Sequence, residues 1–340
     1  MPRFAPLVIL SLSLGFAGST AAAPDPQMQA VLDQLAGLGG KPIEKSTPDM
    51  ARKQPGPPDA VKALLKKLGK STDPEKVAAT KDITIPGPAG KLAARVYSPE
   101  GEGPFPVLVY FHGGGWVIAD IDAYDASCRA LCNAAKCVVV SCDYRRAPEN
   151  PAPAALDDAF SAYQWTLKHT KDWNGDEKSI AIAGESAGGN LATLVCIKAR
   201  DAKIQMPLHQ LLVYPVTDAN FDTESYKLHA DAKPLNKEMM RWFFAHYSGN
   251  QPPDKVLMLL PLQAKSLADL PPATIVTADI DPLRDDGKKY AAALEKAGVK
   301  VRYKNYEGVT HEFFGMGAVV DKSKDAVKYA AEGLTAAFKK

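Results

Sequence analysis

The sequence lacks the features that mark several large classes of protein. Its 41 Lys and Arg residues nearly balance its 39 Asp and Glu residues, so it has no basic excess of the kind that binds nucleic acid. Past the first 23 residues, no segment reaches the roughly 18 consecutive apolar residues that a membrane-spanning helix needs. We therefore expect no nucleic-acid partner and no stable membrane insertion of the mature protein.

The sequence also lacks the common motifs for cofactors and metal ions. It contains no G-x-G-x-x-G dinucleotide fingerprint, no phosphate-binding P-loop and no H-E-x-x-H zinc motif. The acidic segment 279–287 superficially resembles a calcium loop, but Leu283 fills a ligand position and Gly287 is out of place. We therefore expect neither a cofactor nor a metal ion.

Cysteine is scarce and odd in number. Cys128, Cys132, Cys137, Cys142 and Cys196 include no C-x-x-C pair, which argues against a zinc ribbon or a redox motif. One disulfide among the first four would suit an exported protein, but at least one thiol must then stay unpaired or pair between chains. We favour the interpretation that most of these residues are small buried apolar side chains.

The N-terminal residues 1–22 have the pattern of a secretory signal peptide. Arg3 precedes an apolar run from about Leu7 to Ala17, and small residues follow up to Ala23. Cleavage after Ala21 or Ala22 fits this pattern best. A buried N-terminal helix is the alternative interpretation. The pattern predicts export, either to the periplasm or to the medium.

Residues 23–82 are expected to be a helical segment, because Met28–Leu38 and Asp59–Leu68 have apolar residues at helical spacing. From about Ile83, strand patterns alternate with helical ones. The predicted strands are Leu92–Tyr97, Val107–Phe111, Cys137–Cys142, Ser179–Ala183, Gln210–Tyr214, Ala273–Ala278 and Val301–Tyr306. The predicted helices between them are Ala123–Ala135, Pro153–His169, Ala187–Asp201, Asp285–Ala297 and Ser323–Phe338. This alternation predicts an α/β fold with a mostly parallel sheet covered by helices on both faces.

The segment 217–255 interrupts that alternation. It is rich in aromatic residues and has no strand pattern of its own. Ligands bind at the carboxyl ends of the strands in such sheets, so we expect this insertion to form a lid there.

Ser186 is the strongest candidate for a nucleophile. It lies in the G-x-S-x-G motif at 184–188, directly after a predicted strand and before a predicted helix. In this context the motif puts the serine on a tight turn, with its hydroxyl exposed and the helix N-terminus behind it. A second motif, H-G-G-G-W at 112–116, follows another strand and is typical of the oxyanion loop of lipases and esterases.

A nucleophilic serine needs a histidine base and a carboxylate that orients it. Among the histidines after Ser186, His311 is the best candidate, because it follows the last predicted strand. The carboxylate should follow the preceding strand, where spacing alone favours Asp279 and Asp281 equally.

Five motifs in order resemble the hormone-sensitive lipase family of α/β hydrolases, which includes the bacterial group IV esterases. They are H-G-G-G-W at 112–116, D-Y-R-R-A-P-E at 143–149 with A-L-D-D at 155–158, G-E-S-A-G-G-N at 184–190, D-P-L-R-D at 281–285, and His311. The resemblance covers residues 80–338. It implies the α/β-hydrolase fold, with a mostly parallel eight-stranded sheet flanked by helices and a helical cap.

The resemblance also implies the roles of individual residues. Ser186, Asp281 and His311 would form the catalytic triad. The N–H groups of Gly113, Gly114 and Ala187 would form the oxyanion hole. Residues 23–82 and the insertion at about 217–255 would form the cap on a catalytic domain at 83–340. We expect Trp116, which follows the oxyanion glycines, to contact substrate at the mouth of the pocket.

Three residues depart from the family pattern. Glu185 stands where Asp or Thr is usual, Glu312 where Gly usually follows the histidine, and Arg146 where Leu is usual. None of them belongs to the triad. Because of Glu185 and Glu312, the resemblance does not predict the fine substrate preference or the optimum pH.

The expected activity is serine carboxylesterase action on small-molecule esters with short to medium acyl chains, through an acyl-enzyme. An amidase or arylformamidase with the same triad is an alternative. A long-chain lipase and a non-catalytic ligand receptor are further alternatives, and the complete triad argues against the receptor. Members of this family often form a homodimer through the sheet edge, so the resemblance also suggests a homodimer here.

Overall fold

The computed structural model describes residues 23–249 and 259–339. Its centre is one sheet of eight strands, in the order β1-β2-β4-β3-β5-β6-β7-β8. The strands are β1 (Ala79–Gly87), β2 (Gly90–Ser98), β3 (Phe105–Phe111), β4 (Val138–Asp143), β5 (Gly175–Glu185), β6 (Gln210–Val213), β7 (Ala273–Ile280) and β8 (Val301–Thr310). The pairs β1–β2 and β2–β4 are antiparallel, and every other neighbouring pair is parallel. The predicted α/β-hydrolase fold with a mostly parallel eight-stranded sheet is confirmed.

Helices cover the sheet on both faces. They are α1 (Pro26–Gly37), α2 (Pro48–Arg52), α3 (Pro57–Lys67), α4 (Asp125–Ala135), α5 (Ala154–His169), α6 (Ala187–Asp201), α7 (Glu224–Leu228), α8 (Lys237–Tyr247), α9 (Arg284–Lys296) and α10 (Asp321–Phe338). Side chains alternate along a strand, so β3 contributes Val107 and Val109 to the core beneath α5, α6 and α9, and Leu108 and Tyr110 to the core beneath α4 and α10. Both faces of the central strands are therefore buried, which explains their continuous apolar runs.

The N-terminal segment is attached to the sheet at two places. Asp25 caps α1 by accepting a hydrogen bond from the Met28 N–H at 2.9 Å, and its own N–H donates to the Gly308 carbonyl at 2.8 Å. Arg52, at the end of α2, donates a bidentate pair of hydrogen bonds to Glu149 at 2.8 and 2.7 Å and a third to the Val117 carbonyl at 2.8 Å. The segment is thus fixed to β8 and to the loops that follow β3 and β4.

The structure differs from the sequence predictions mainly at the margins. The first strand, β1, was not among the predicted strands, and it begins at Ala79, inside the segment 23–82 that was expected to be helical. Most of its side chains are exposed at the sheet edge, so the apolar alternation that identifies a half-buried strand is weak. Residues 1–22, with the predicted signal peptide, and 250–258, with the end of the predicted insertion, lie outside the described residues.

All five cysteines are buried and none forms a disulfide. Burial raises the pKa of each thiol, as for Cys132, where it reaches about 12. They pack as small apolar side chains, which was the interpretation we favoured. In residues 23–249 and 259–339, no helix is long and apolar enough to cross a membrane.

Candidate active site

Ser186 occupies a strained turn between β5 and α6. Its φ of 56° is in the left-handed region, which non-glycine residues adopt mainly where the surrounding structure enforces it. The glycines beside it make the turn feasible. A Cβ on Gly184 would lie 2.1 Å from the Gly188 carbonyl oxygen, and one on Gly188 would lie 1.9 Å from the Phe111 carbonyl oxygen. The chain therefore places Ser186 at the N-terminus of α6 and against the end of β3.

His311 and Asp281 lie beside Ser186 in hydrogen-bonding order. The Ser186 Oγ is 3.0 Å from His311 Nε2, and His311 Nδ1 is 2.6 Å from Asp281 Oδ2. Asp281 also accepts a hydrogen bond from the Leu283 N–H at 2.8 Å, which fixes its carboxylate. The three side chains follow β5, β7 and β8, whose carboxyl ends meet at one edge of the sheet.

The pKa of His311 is set by two opposing effects, burial of the ring and the carboxylates around it. Burial is the largest single effect and lowers the pKa of His311, but the charge and hydrogen bond of Asp281 raise it, and Glu312 and Glu185 add to the increase. The net result is a pKa above the ordinary value of 6.5. The side chains of Ser186, His311 and Asp281 are nearly or fully buried, and Ser186 is only 4% exposed.

The other candidates have different partners. Asp279 pairs with Arg284, with Oδ1 3.1 Å from the guanidinium. His209 Nε2 is 2.8 Å from the Thr274 hydroxyl at the opposite end of the sheet, where β7 begins. His229 and His246 lie in the insertion, and burial lowers the pKa of both. Of the two carboxylates that spacing allowed, the structure brings Asp281 to His311.

The glycine loop after β3 is packed on both sides. A Cβ on Gly113 would lie 2.2 Å from the Tyr124 hydroxyl, one on Gly114 would lie 2.2 Å from the Ile118 carbonyl, and one on Gly115 would lie 2.2 Å from the ring of Phe243. Gly114 also has a φ of +93°. The loop starts beside the Ser186 turn, because Phe111 pairs with Gly184 across β3 and β5.

Ala187 is the first residue of α6. Its N–H is one of the free donors at the N-terminus of that helix, directly beside the Ser186 side chain. The three predicted oxyanion residues therefore lie on either side of Ser186, with Gly113 and Gly114 on the loop after β3 and Ala187 in the first turn of α6.

Trp116 lies in the protein interior and not at the mouth of the pocket. Its side chain has no exposed surface, so the expectation that it lies at the mouth of the pocket is wrong. The ring stacks on Tyr247 with centroids 4.2 Å apart and meets the edge of Phe244 at 5.4 Å. Trp116 instead joins the loop after β3 to helix α8 of the insertion.

Two carboxylates beside the triad form a cluster that the sequence did not predict. Glu185 accepts hydrogen bonds from the hydroxyls of Tyr110, at 2.6 Å, and Tyr214. Glu312 accepts one from the Tyr124 hydroxyl at 2.6 Å, and its Oε1 lies 3.8 Å from His311 Nε2. The only signal in the sequence was that Glu185 and Glu312 depart from the family pattern.

A cavity of about 1590 Å³ leads to this cluster from the surface. Helices α3, α4 and α10 supply most of its wall, and Tyr124, Glu185 and Glu312 also line it. Neither Ser186 nor His311 is part of the wall, and within the described part of the insertion, 217–249, no residue lines it. The cavity therefore reaches the rear of the site.

The described residues hold no group of three or more His, Cys, Asp or Glu side chains arranged to bind a metal ion. The chemistry that the arrangement offers is nucleophilic attack by a serine that a histidine and a carboxylate assist.

Comparison with known proteins gives a consistent result. The model of a family with the α/β-hydrolase fold matches residues 108–315. The carboxylic ester hydrolase LipN of Mycobacterium tuberculosis is 44% identical over 69% of this chain, although the match spans only 64% of LipN, just under two thirds. The esterase LipI of the same organism is 40% identical over 72% of this chain and 78% of its own length.

Solved esterases have the same fold. A thermostable esterase from Pseudomonas putida superposes with a TM-score of 0.83 at 35% identity, over 93% of this chain and 98% of its own. The hyperthermophilic esterase of Pyrobaculum calidifontis gives 0.81 at 33% identity, over 93% and 98%. The chain therefore belongs to the hormone-sensitive lipase family of α/β hydrolases and, like these relatives, is a carboxylic ester hydrolase.

Proposed function

We propose that this chain is a serine carboxylesterase that hydrolyses short- to medium-chain carboxylic esters. The observation that carries the proposal is the hydrogen-bonded series Ser186–His311–Asp281, with separations of 3.0 and 2.6 Å. Ser186 is the nucleophile, His311 the general base and acid, and Asp281 the residue that fixes the His311 tautomer.

The reaction proceeds through an acyl-enzyme. As the Ser186 Oγ attacks the ester carbonyl, its proton moves to His311 Nε2, and Asp281 stabilises the resulting cation. The N–H groups of Gly113, Gly114 and Ala187 hold the oxyanion of the tetrahedral intermediate. His311 then gives the proton to the leaving alcohol, and water activated by the same histidine releases the acid.

The enclosure of the site supports the preference for short acyl chains. Ser186 and His311 are 4% and 3% exposed, and Phe243 of the insertion packs against Gly115 of the oxyanion loop. An enclosed pocket gains about 0.8 kcal/mol for each acyl CH₂ that it buries, until it is full. We propose that residues 23–78 and the described part of the insertion, 217–249, together form the cap that sets this limit.

A series of p-nitrophenyl esters with two to sixteen acyl carbons tests the substrate range. We expect kcat/KM to rise from acetyl to about butyryl or hexanoyl esters and to fall steeply by lauroyl, because a longer chain must clash or stay in water. A maximum at ten carbons or above would favour a long-chain lipase. Faster cleavage of an anilide than of the matched ester would favour an amidase.

Variants of the triad test the mechanism itself. Ser186→Ala and His311→Ala should each reduce kcat by a factor on the order of 10⁴ or more. The matched control is Ser179→Ala, which changes a serine on β5, the strand before the Ser186 turn, whose hydroxyl donates to Asp176 at 2.6 Å. Activity that survives in Ser186→Ala would refute the proposal.

We also propose that the protein is exported and that residues 1–22 are its signal peptide. The support is the sequence pattern, with Arg3, an apolar run and small residues before Pro24. The mature protein from the native host should begin at Ala22 or Ala23. N-terminal sequencing that finds Met1 would refute export by this route.

A further inference from the structure

Glu312 lies beside the histidine of the proposed triad but has no role in the mechanism described above. It follows His311 directly, and its Oε1 lies 3.8 Å from His311 Nε2, the nitrogen that also faces the Ser186 Oγ at 3.0 Å. Asp281 lies on the other nitrogen of the ring. The imidazole is thus flanked by carboxylates at both of its nitrogens.

The backbone of Glu312 is in a conformation that suits glycine. Its φ is +70°, in the left-handed region where a Cβ is disfavoured and glycine is not. A side chain that stays at such a position despite the strain points to a function for that side chain.

Tyr124 holds the Glu312 carboxylate in place. Its hydroxyl donates to Glu312 Oε1 at 2.6 Å, and the same hydroxyl packs against Gly113, where an added Cβ would come within 2.2 Å. Tyr124 is 5% exposed, whereas the Glu312 side chain, which lines the cavity, is 20% exposed. Tyr124 therefore contacts both the oxyanion loop, at Gly113, and the residue that follows His311.

Glu185 provides a second buried carboxylate that interacts with Glu312. Burial, followed by the charge of Glu312, raises the pKa of Glu185 to about 7, against the opposing hydrogen bonds of the Ser127, Tyr110 and Tyr214 hydroxyls. The pKa of Glu312 is also raised, because its burial outweighs the opposing effects of the His311 charge and the Tyr124 hydrogen bond. The titratable and polar groups around the two carboxylates are His112, Tyr110, Tyr124, Ser127, Cys128, Tyr214, Asp281 and His311.

We propose that Glu312 is a positioning residue whose carboxylate, fixed by Tyr124, stabilises the His311 cation that forms when Ser186 gives up its proton. The inference rests on the proposed function, since it assumes that His311 is the base. The Ser186 O–H bond breaks and the His311 Nε2–H bond forms. The Nε2–H bond then breaks as the leaving alcohol takes the proton. Glu312 accepts no proton in either step and acts only through its negative charge.

The pH dependence of kcat/KM separates this electrostatic role from a structural one. A carboxylate near Nε2 favours the cationic form of His311 and so raises its pKa. Glu312→Gln keeps the size of the side chain and removes the charge. We expect the acidic limb of the profile to move about one unit lower in pH, and kcat at the plateau to fall roughly tenfold.

The matched control is Glu307→Gln. Glu307 is an exposed carboxylate on β8, the strand that precedes Glu312, so its replacement removes the same charge outside the site. Its profile should coincide with that of the unmodified protein. If Glu312→Gln lowers activity equally at every pH with no shift of the limb, or has no effect, the proposal is refuted.

Tyr124→Phe tests the contact that holds the carboxylate. Loss of the hydrogen bond should raise the pKa of Glu312 and shift the limb in the same direction as Glu312→Gln, but less. In the Glu312→Gln background it should cause no further shift, because both changes act through one charge. Additive shifts would refute the assigned role of Tyr124.

Glu312→Gly covers the case in which Glu312→Gln does not fold. Glycine suits the φ of +70°, and this variant should show the same shift of the acidic limb. An unshifted limb in a folded Glu312→Gly protein would refute the proposal. Ser186→Ala measured in parallel keeps the two questions apart, since an active Ser186→Ala protein refutes the proposed function and not the effect of Glu312.

Discussion

At the scale of single residues, the chemistry of Ser186 depends on neighbours that have no side chain. Gly188 lies so close to β3 that an added Cβ would be 1.9 Å from the Phe111 carbonyl oxygen. Backbone atoms cannot rotate away as a side chain can, so α6 would have to move. The position of Ser186 relative to the oxyanion loop would change with it.

Gly188→Ala should therefore destabilise the fold by about 1–3 kcal/mol. It should also lower kcat by a larger factor than it changes KM. Chemical denaturation and ester kinetics measure the two effects. Gly37→Ala in α1 is the control, because nothing lies within 4 Å of its added Cβ. An equal loss of stability in both variants would contradict this steric argument.

The identity of the triad acid is also decided by single contacts. Asp281 is within 2.6 Å of His311, whereas Asp279 pairs with Arg284 at 3.1 Å. Asp281→Asn should reduce kcat by a factor on the order of 10⁴, because the amide favours the wrong tautomer of His311. Asp279→Asn should change kcat only slightly. Steady-state kinetics of both variants test the assignment, and a larger loss in Asp279→Asn would reverse it.

These residues show which parts of the site the sequence could predict. Ser186 and the glycines at 113–115 lie in short motifs whose backbone requirements are local, so the sequence identifies them. The spacing could not separate Asp279 from Asp281, because that depends on where β7 ends and on the contact with Arg284. Glu312 and Tyr124 are far apart in the chain, and only the fold brings them together.

At the scale of elements, helix α8 is joined to the oxyanion loop by aromatic packing. Trp116 stacks on Tyr247 and meets Phe244, while Phe243 covers Gly115. Movement of this helix would change the shape of the loop directly. The cap and the catalytic machinery therefore share one packed cluster.

Trp116→Ala should destabilise the protein by about 3–5 kcal/mol, since it removes a fully buried aromatic ring. Guanidinium unfolding measures the change. Trp242→Ala removes a tryptophan of helix α8 that is only partly buried, so it should cost clearly less. Equal costs for the two variants would contradict a packing role specific to Trp116.

The elements also differ in how well the sequence predicts them. The central strands are buried on both faces and appear as apolar runs, so β3, β4 and β7 lie close to their predicted ranges. The edge strand β1 is mostly exposed and is held by pairing with β2, which leaves little apolar pattern. Helix α8 was predicted only as an aromatic-rich insertion, because its apolar face packs on a distant loop.

At the scale of the whole molecule, the order of the strands assembles the site. Ser186, Asp281 and His311 follow β5, β7 and β8, and the oxyanion loop follows β3, which pairs with β5. Parallel strands bring their carboxyl ends to one edge, so residues far apart in the chain meet there. The fold also buries carboxyl groups, among them Glu185 and Asp286, which links the free energy of unfolding to pH.

Asp286, at the start of α9, is the clearest such group. It is buried and accepts hydrogen bonds from the N–H groups of Thr217 and Asp218 at 3.0 and 3.1 Å. Burial raises its pKa from 3.8 to about 8. Between these two values the folded state binds a proton that the unfolded state does not. Stability from this group is therefore complete below about pH 4 and is lost as the pH rises toward 8.

Glu185, whose pKa is raised to about 7, acts in the same direction, so we expect Tm to be higher at pH 5 than at pH 8.5. Asp286→Asn keeps an oxygen acceptor for the two N–H groups and cannot ionise, so it should reduce that difference. Asp222→Asn is the control, because the exposed Asp222 has its pKa lowered by Lys237. Thermal unfolding across this pH range measures the slope. A slope that Asp286→Asn leaves unchanged would mean that Asp286 does not carry the extra proton of the folded state.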